Sequence, residues 1–235
     1  MKRTVIITGG TKGLGRETAL AFGRAGYFVI ALYSANEAAA ESLELAMKAA
    51  QSTGCAIKHD IGSESQQAWS HPEIQNSESL TLIHNASAAF EPTPLHRLSW
   101  PDFERHFHVA IKGGWQCAQS VIRLMLKKKR CAIVTILTTA IDGLPPKGFG
   151  AYVTGKHALR GLTLALAAEY AVRGVRVFSA SPGFMNTALT EKWEPRLREI
   201  IQAGSVNTNP QQAAQRLVEL VESAEVEGKG ENYPL

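Results

Sequence analysis

A tyrosine and a lysine that stand four residues apart, Tyr152 and Lys156, are the first candidates for chemistry in this sequence. A spacing of four places two side chains on one face of a helix, close enough to interact. Tyrosine has a reference pKa of about 10, but a nearby ammonium group favours the phenolate and lowers that pKa. The pair therefore predicts general acid–base catalysis, with Tyr152 as the proton donor and Lys156 as the group that tunes its pKa.

A glycine-rich turn near the start of the chain is the second candidate. It stands between a β-branched run and a helical pattern, where a turn can place a phosphate on the N–H groups of a helix. Its glycines permit a tight turn and a close approach of the backbone to a pyrophosphate. The turn consists of Thr8, Gly9, Gly10, Thr11, Lys12, Gly13, Leu14 and Gly15. We therefore expect it to bind a nucleotide.

Segments typical of strands and helices alternate along the chain and must position these residues. The predicted strands span residues 4–8, 27–33, 56–59, 80–84, 132–137 and 175–180. The predicted helices span residues 14–25, 37–52, 99–128, 151–172 and 209–223. This alternation predicts a single α/β domain over residues 1–235, with a Rossmann-type doubly wound parallel sheet and helices on both faces. The short, polar segment between residues 60 and 80 predicts a truncated third crossover helix.

The composition argues against several classes of protein. The 235 residues are 45% hydrophobic and 20% charged, which are ordinary values for a globular domain. No apolar run is long enough to span a membrane, and the one after the N-terminus is too short for a signal peptide. Cys55, Cys117 and Cys131 are scattered without metal-ligand or disulfide spacing, which predicts no metal site and a cytoplasmic location.

The net charge of +4 raises the question of nucleic-acid binding. The densest basic run, residues 127–130, follows a long helix pattern, where cations complement the C-terminus of the helix. Aromatic residues do not interleave with that run, as they do in proteins that bind single strands. We therefore expect no nucleic-acid partner, and a mild positive charge suits a protein whose ligand carries phosphates.

The glycine spacing, Gly-x-x-x-Gly-x-Gly, together with Tyr-x-x-x-Lys resembles the short-chain dehydrogenase/reductase family over nearly the whole chain. The resemblance is closest to the 3-oxoacyl-[acyl-carrier-protein] reductase branch. Three further segments are similar in order and spacing: an adenine-contacting pair, an Asn-Ala pair after the fourth strand, and a Pro-Gly loop with a threonine beside the nicotinamide. Here these residues are Asp60, Ile61, Asn85, Ala86, Pro182, Gly183 and Thr187.

The resemblance implies an NAD(P)-dependent ketoreductase. In the family the tyrosine gives its proton to a carbonyl as hydride arrives from the nicotinamide, and the lysine also holds the nicotinamide ribose. An NAD-type site places a carboxylate at the end of the second strand, but Tyr33 and Ser34 stand there in this chain. Because Lys12 can meet a 2′-phosphate and Ser34 can add a hydrogen bond, we expect NADPH as the cofactor.

The family usually has a serine that orients the substrate carbonyl, and two adjacent threonines compete for that place here. Matching the preceding strand selects Thr138, whereas counting back 13 residues from Tyr152 selects Thr139. The second alignment is slightly favoured, because the distance to the tyrosine is a demand of the chemistry. Either threonine retains the hydroxyl, and its methyl group stiffens χ1 and narrows the pocket.

A larger departure from the family lies in the long helix before this strand. The family has an asparagine there that supports a water-linked proton relay, and the aligned residue is Ala110. His106 and His108 lie nearby but face different ways, so we expect at least one of them to be solvated. Ala110 motivates an alternative function, a catalytically weakened nucleotide-binding subunit of a hetero-oligomer with an active homologue.

The substrate pocket should be formed by loops at the C-terminal ends of the strands, beside the nicotinamide. Its expected residues are Leu144, Phe149, Phe184, Met185, Leu189 and Trp193. They are apolar, which favours a 3-oxoacyl or polyketide-like ketone, possibly bound to a carrier, over a free sugar. The resemblance also implies a homodimer or homotetramer formed by packing of the long helices, and a hetero-oligomer of the same fold is the alternative.

Overall fold

Seven parallel strands form one sheet in the computed structural model, which describes residues 2–65 and 67–235. The strands are β1 (Arg3–Thr8), β2 (Phe28–Tyr33), β3 (Gly54–Lys58), β4 (Ser79–His84), β5 (Cys131–Ile136), β6 (Val175–Ser181) and β7 (Lys229–Pro234). Their order in the sheet is β3-β2-β1-β4-β5-β6-β7, and every neighbouring pair is parallel. The predicted Rossmann-type doubly wound fold is thus confirmed.

Eight α-helices connect and cover these strands within the described residues. They are α1 (Gly13–Arg24), α2 (Glu37–Ala49), α3 (Pro72–Asn76), α4 (Trp100–Phe107), α5 (Gly114–Met125), α6 (Gly150–Tyr170), α7 (Pro195–Ala203) and α8 (Pro210–Glu222). The predicted truncation of the third crossover is confirmed, because α3 has only five residues. None of the described helices is both long enough and apolar enough to cross a membrane.

Alternate residues of each buried strand supply two separate cores, one on each face of the sheet. In β1, Val5 and Ile7 pack with Phe22 of α1 and with α8, whereas Ile6 packs with Val121 of α5. This alternation follows from the two-residue period of a strand. The β-branched and leucine-rich strands are therefore buried on both faces, as in other parallel sheets with helices on each side.

The order of the strands determines where a cleft can form at the edge of the sheet. The chain runs outward from β1 to β3, then returns across the sheet to β4 on the other side of β1. Crossovers on the two sides of this point leave in opposite directions, and ligands of open α/β sheets bind at the carboxyl ends of the strands there. The turns after β1 and β4 consequently face each other.

Two predicted helices require correction. The helix predicted over residues 99–128 is three segments, because a π-helical stretch, His108–Gly113, separates α4 from α5. The helix predicted over residues 37–52 ends at Ala49, since Gln51 adopts a left-handed conformation with a φ of 55°. The sequence analysis did not predict α7 or β7, which complete the fold after β6.

Candidate active site

The glycine turn after β1 has a backbone that only glycine adopts without strain. Gly9 and Gly13 have φ values of +62° and +51°, in the left-handed region. At Gly15 the limit is space: an added Cβ would lie 2.2 Å from the carbonyl oxygen of Gly9. The turn is thus as tight as the sequence pattern predicts.

The start of α1 leaves backbone donors available to an anion. Lys12 occupies the N-cap position without capping the helix through its side chain, and the first turn contains no acidic residue. The first N–H groups of a helix have no partner within the helix, and they carry a partial positive charge. The site therefore fits the pyrophosphate of a dinucleotide.

Asn85 and Thr8 lock this turn to the end of β4. The side-chain amide of Asn85 donates to the carbonyl oxygens of Thr8 and Gly9, at 3.0 and 3.2 Å. The hydroxyl of Thr8 in turn accepts hydrogen bonds from the backbone N–H groups of Asn85 and Ala86, at 3.0 and 2.9 Å. These bonds hold the two facing turns at a fixed separation.

We call the resulting cavity of about 550 Å³ the glycine cleft. The structure brings most of the predicted cofactor residues to its wall. They are Gly9, Thr11, Lys12, Gly13, Leu14, Tyr33, Ser34, Asp60, Ile61, Asn85, Ala86, Tyr152, Lys156, Pro182 and Thr187. Four others do not line it: Thr8, Gly10 and Gly15 lie behind the wall, packed on β-strand or turn backbone, and Gly183 faces the neighbouring cavity.

Sequence reasoning missed several residues of this cleft. His59 directly precedes Asp60 at the end of β3, and Val109 comes from the π-helical stretch. Glu191 and Lys192 come from the segment after β6, which crosses the mouth of the cleft. His59 could have been found from its neighbour in sequence, whereas the other three depend on where long connections fold back.

The end of the cleft after β2 has no acidic residue in the position of an NAD-type carboxylate. The wall there consists of Tyr33, Ser34, Ala35 and Asn36. The next acid, Glu37, is in the first turn of α2, and its carboxylate binds Lys58 at 2.7 Å outside the cleft. This ion pair gives Glu37 a structural role outside the cleft.

Helix α6 carries the tyrosine and the lysine on one face, as their spacing predicts. Lys156 is only 4% exposed, and its ammonium group donates to the carbonyl oxygen of Ile136 at 2.7 Å. The same nitrogen lies 5.7 Å from the centre of the Tyr152 ring. Burial lowers the pKa of Lys156 to about 8, because the charged form loses hydration.

The expected lowering of the Tyr152 pKa does not occur in this structure. Burial raises the pKa of Tyr152 to about 12, and a hydrogen bond from Thr138 opposes that rise only in part. The reason is physical: loss of hydration penalises the phenolate, and the ammonium group of Lys156 points to the Ile136 carbonyl. Tyr152 is consequently a protonated donor at neutral pH.

The two adjacent threonines have different surroundings. The hydroxyl of Thr138 lies close enough to Tyr152 to lower the pKa of the phenol, and Thr138 is 7% exposed. Its hydroxyl also accepts a hydrogen bond from the backbone N–H of Ala140 at 3.2 Å. Thr139 instead begins the single 3₁₀ turn that follows β5, Thr139–Ile141. These surroundings favour Thr138 for the hydroxyl role, and the choice between the two threonines stays a prediction.

Phe90, which the sequence analysis missed, covers the face of Tyr152. The two rings are stacked with centres 4.9 Å apart and an angle of 16° between their planes. The ring centres of Phe149 and Trp193 each lie 5.2 Å from the ring centre of Phe90, in edge-to-face arrangements. The indole N–H of Trp193 donates to the carbonyl oxygen of Phe90 at 2.6 Å, which joins the segment after β6 to the loop after β4.

These rings form one wall of a second cavity, of about 780 Å³, which we call the aromatic cleft. All the apolar residues expected around the substrate line it: Leu144, Phe149, Phe184, Met185, Leu189 and Trp193. Thr138, Thr139 and Gly183 also line it, and α7 closes it with Leu197, Ile200 and Ile201. Tyr152, Pro182, Met185, Thr187 and Leu189 belong to both clefts, so the two cavities meet at the tyrosine.

The remaining candidates have structural surroundings. His106 is buried against Tyr152 and Phe90, and burial lowers its pKa to about 4, whereas His108 is exposed. One of the two histidines is thus solvated, as expected. Ala110 is 7% exposed within the π-helical stretch. Residues 2–65 and 67–235 contain no cluster of three side chains that would hold a metal ion.

Comparison with known proteins identifies the family. The family model described as short chain dehydrogenase matches residues 3–198. The chain belongs to this family. It is accordingly an oxidoreductase that uses a nicotinamide cofactor, and the uncapped start of α1 with its glycine turn fits the pyrophosphate of such a cofactor.

Individual relatives are moderately similar. The chain is 26% identical over 200 residues to a 3-oxoacyl-[acyl-carrier-protein] reductase of Staphylococcus aureus, covering 85% of this chain and 81% of that protein. It is 31% identical over 191 residues to the oxidoreductase UcpA of Salmonella typhimurium, covering 80% and 72%. A solved structure from Beutenbergia cavernae, described as a putative gluconate 5-dehydrogenase with bound NADP, is 24% identical with a TM-score of 0.84, covering 99% and 94%.

Proposed function

We propose that this protein reduces a ketone to a secondary alcohol with NADPH as the reductant. The observation that supports this most directly is the position of Tyr152, at the junction of the glycine cleft and the aromatic cleft. A group there reaches both a nicotinamide held from one side and a carbonyl held from the other. Its protonated state at neutral pH suits a donor to a carbonyl oxygen.

Tyr152, Thr138 and Lys156 each have a separate role in the proposed reaction. NADPH, when held by the residues of the glycine cleft, would supply a hydride for the carbonyl carbon. Tyr152 donates its proton to the carbonyl oxygen, and the hydroxyl of Thr138 orients that oxygen. Lys156, charged below a pKa of about 8, would bind the nicotinamide ribose, and its ammonium group, 5.7 Å from the centre of the Tyr152 ring, would attract the negative charge that forms on the tyrosine. Return of a proton from solvent to Tyr152 completes the cycle, so that one ketone, one hydride and one proton give one alcohol.

The preference for NADPH over NADH is supported by the end of the glycine cleft after β2. That wall has no carboxylate to bind a ribose 2′-hydroxyl. Lys12 and Ser34 line the same cleft and supply a cation and a hydroxyl for a 2′-phosphate. The Beutenbergia cavernae structure with bound NADP is consistent with this preference.

For the substrate we propose a 3-oxoacyl or polyketide-like ketone, free or bound to a carrier, within fatty-acid or polyketide biosynthesis. The aromatic cleft is walled by apolar side chains, and these suit an alkyl or acyl chain better than a sugar. Leu144 is fully exposed at its rim, where a chain leaving the cleft would pass. The Staphylococcus aureus relative, described as a 3-oxoacyl-[acyl-carrier-protein] reductase, supports the same class.

The alternative is a catalytically weakened nucleotide-binding subunit that pairs with an active homologue. Ala110 favours it, because a methyl group offers no hydrogen bond to a relay. The contact between Thr138 and Tyr152 favours the enzyme, because a subunit that only binds a nucleotide has no use for an oriented proton donor. We therefore place the enzyme first.

We also propose a homodimer or homotetramer formed through the long helices, in the cytoplasm. Trp115 of α5 and Leu164 of α6 are 48% and 47% exposed, which supports burial of these helices against a second copy. The three cysteines are free thiols, which supports a reducing compartment. Light scattering after gel filtration measures the mass of the assembly, and a monomer at micromolar concentration would contradict the first proposal.

A panel assay tests the function and the cofactor preference together. The purified protein is mixed with NADPH or NADH and with 3-oxoacyl thioesters, simple ketones and a keto sugar, while the absorbance of the reduced nicotinamide is followed. We expect the highest kcat/KM for a 3-oxoacyl thioester with NADPH. Tight NADPH binding with no turnover of any ketone would favour the weakened subunit, and equal or better kcat/KM with NADH would refute the cofactor preference.

A further inference from the structure

His84 is a buried histidine that the reaction described above does not use. It ends β4, only 1% of its surface is exposed, and it lies between two hydrogen-bonding neighbours. Its Nδ1 is 3.2 Å from the hydroxyl of Thr8, beside the glycine turn. Its Nε2 is 3.2 Å from the carbonyl oxygen of Ala110 in the π-helical stretch. The imidazole ring therefore bridges the sheet and the helical layer.

The surrounding hydrogen bonds fix which ring nitrogen carries the proton. The hydroxyl of Thr8 already accepts hydrogen bonds from the backbone N–H groups of Asn85 and Ala86. A hydroxyl has two acceptor lone pairs and one proton, so the proton of Thr8 is left for Nδ1 of His84. Nδ1 is consequently an acceptor, and Nε2 carries the proton that it donates to the carbonyl of Ala110.

The carbonyl that receives this proton lies in a stretch that forms part of the glycine cleft. Val109 lines that cleft directly. Gly113, at the end of the stretch, packs so closely on Ile61 of the cleft wall that an added Cβ would lie 2.7 Å from the Ile61 side chain. Stretches of π-helix depart from the regular hydrogen-bond ladder and are frequent at functional sites. The contact from His84 reaches this stretch from outside the helix.

The catalytic helix packs on the same stretch from the other side. Gly155 lies between the tyrosine and the lysine of α6, and an added Cβ there would lie 3.3 Å from the Cβ of His106, which is in α4 two residues before the stretch begins. Gly114, directly after the stretch, would meet His84 at 3.1 Å and Leu159 of α6 at 3.4 Å. Any shift of the π-helical stretch would therefore move both the catalytic helix and one wall of the glycine cleft.

We propose that His84 is a positioning residue that holds the π-helical stretch through the Ala110 carbonyl, and so fixes α6 relative to the glycine cleft. The support comes from the sheet, which explains how a site with only a methyl side chain at residue 110 stays ordered. The kinetic consequence rests on the proposed function, whereas the hydrogen-bonded chain from Thr8 through His84 to Ala110 does not.

His84 does not act as an acid or a base itself. Both ring nitrogens already have partners within the fold. Burial, with the charge of Lys156 as a second cause, lowers the pKa of His84 to about 4, so the ring is neutral at the pH of the cell. A neutral ring with one fixed proton is suited to holding a carbonyl rather than to carrying protons.

The tautomer can be tested without any ketone substrate. Proton–nitrogen correlation spectra of protein labelled at its histidines distinguish a protonated Nε2 from a protonated Nδ1, and loss of one signal set in His84→Gln assigns the residue. We expect His84 to be the neutral tautomer with the proton on Nε2 at neutral pH. A proton on Nδ1, or a doubly protonated ring, would overturn the assignment.

The positioning role is tested with His84→Gln, His84→Leu and the exposed control His157→Leu. Glutamine retains an N–H donor for the Ala110 carbonyl, and leucine does not. We expect His84→Leu to lower kcat by up to about 100-fold, since small displacements of reacting groups cost that much, with less change in ketone KM and weaker NADPH binding. Glutamine should restore most of kcat, and His157→Leu should match wild type.

Two outcomes of this series would overturn the positioning role. The first is a His84→Leu variant with wild-type kcat and wild-type NADPH affinity. The second is an equal loss in His84→Leu and His84→Gln at matched thermal stability, because the N–H donor would then be irrelevant. If wild type turns over no ketone, the NADPH affinities of the three variants still decide the matter, and only the proposed function fails.

Discussion

The glycine cleft and the aromatic cleft meet at one tyrosine but are built from different parts of the polypeptide. The glycine cleft is shaped by backbone: positive φ angles at Gly9 and Gly13, and a contact at Gly15 that excludes even a methyl group. The aromatic cleft is shaped by side chains, with Phe90 and Trp193 held to each other by a hydrogen bond from the indole to a carbonyl.

This difference predicts how the two regions tolerate change. Few substitutions are tolerated in a site that is shaped by the backbone, because a Cβ added at one of its glycines occupies space that the turn or the ligand needs. A side-chain wall can be exchanged ring by ring with graded effects on the size and shape of the pocket. Substitutions in the glycine cleft should therefore abolish a binding step, whereas those in the aromatic cleft should alter which ketone is preferred.

The largest effect is expected at the junction itself. Tyr152→Phe removes the only proton that the proposed mechanism donates to the carbonyl oxygen, and it keeps the ring that Phe90 stacks on. General acids contribute about 10²- to 10⁴-fold to rate, so we expect kcat to fall by that factor. NADPH affinity, measured by fluorescence titration, should stay near the wild-type value. A parallel loss of binding would show that the two clefts are not separable at this residue.

Gly15→Ala should impair nucleotide binding in the glycine cleft without affecting the aromatic cleft. The new Cβ would overlap the Gly9 carbonyl at 2.2 Å, and overpacking of this kind costs about 1–3 kcal/mol. We expect NADPH affinity to weaken about 10- to 100-fold. Gly161→Ala is the matched control, because that glycine is exposed on α6 with open space around it. Equal affinities in the two variants would contradict a backbone-built site.

The difference between a cleft shaped by backbone and a cleft shaped by side chains also determined how much of each could be predicted from the sequence. The turn after β1 and the Tyr152–Lys156 pair have fixed spacings within one element, so local pattern was sufficient. The position of Phe90 over Tyr152 depends on a loop and a helix that are distant in sequence, and no local pattern records it. The strand β7 was missed because its residues are polar and partly exposed at the edge of the sheet.

Substitution of the two adjacent threonines tests which hydroxyl of the aromatic cleft takes part in the reaction. Thr138→Val removes the hydroxyl that bonds to Tyr152, whereas Thr139→Val changes a residue of the following 3₁₀ turn. A lost hydrogen bond to a reacting group costs about 1.5–3 kcal/mol. We expect kcat to fall at least about tenfold in Thr138→Val and to change little in Thr139→Val. A larger loss of kcat in Thr139→Val than in Thr138→Val in steady-state assays would mean that the spacing from Tyr152 along the chain determines which hydroxyl takes part in the reaction.

The pH dependence of ketone reduction tests the electrostatics of the junction. Lys156 has its pKa lowered to about 8 by burial, so the ammonium group is present below that pH and is lost above it. Tyr152, with a pKa raised to about 12, stays protonated over the same range. We expect kcat/KM for reduction to fall about tenfold per pH unit above that pKa. A profile that stays flat to pH 10 would contradict the assignment to Lys156.

The smallest expected effect belongs to the wall of the aromatic cleft. Phe90→Leu removes ring contacts to Tyr152, Phe149 and Trp193 while keeping an apolar side chain. Aromatic pairs are worth about 0.5–1.5 kcal/mol beyond their buried area, so we expect ketone KM to change about 2- to 10-fold. NADPH affinity should be unaffected. A variant that loses NADPH but keeps its ketone KM would reverse the division between the two clefts.

The central claim is that the two clefts bring a reduced nicotinamide and a ketone together at Tyr152. It is tested most directly by a single turnover with NADPH that carries deuterium in place of the transferred hydrogen. We expect one deuterium on the carbinol carbon of the product and a slower rate than with unlabelled NADPH. Product without deuterium, or NADPH bound with no product from any ketone of the panel, would contradict it.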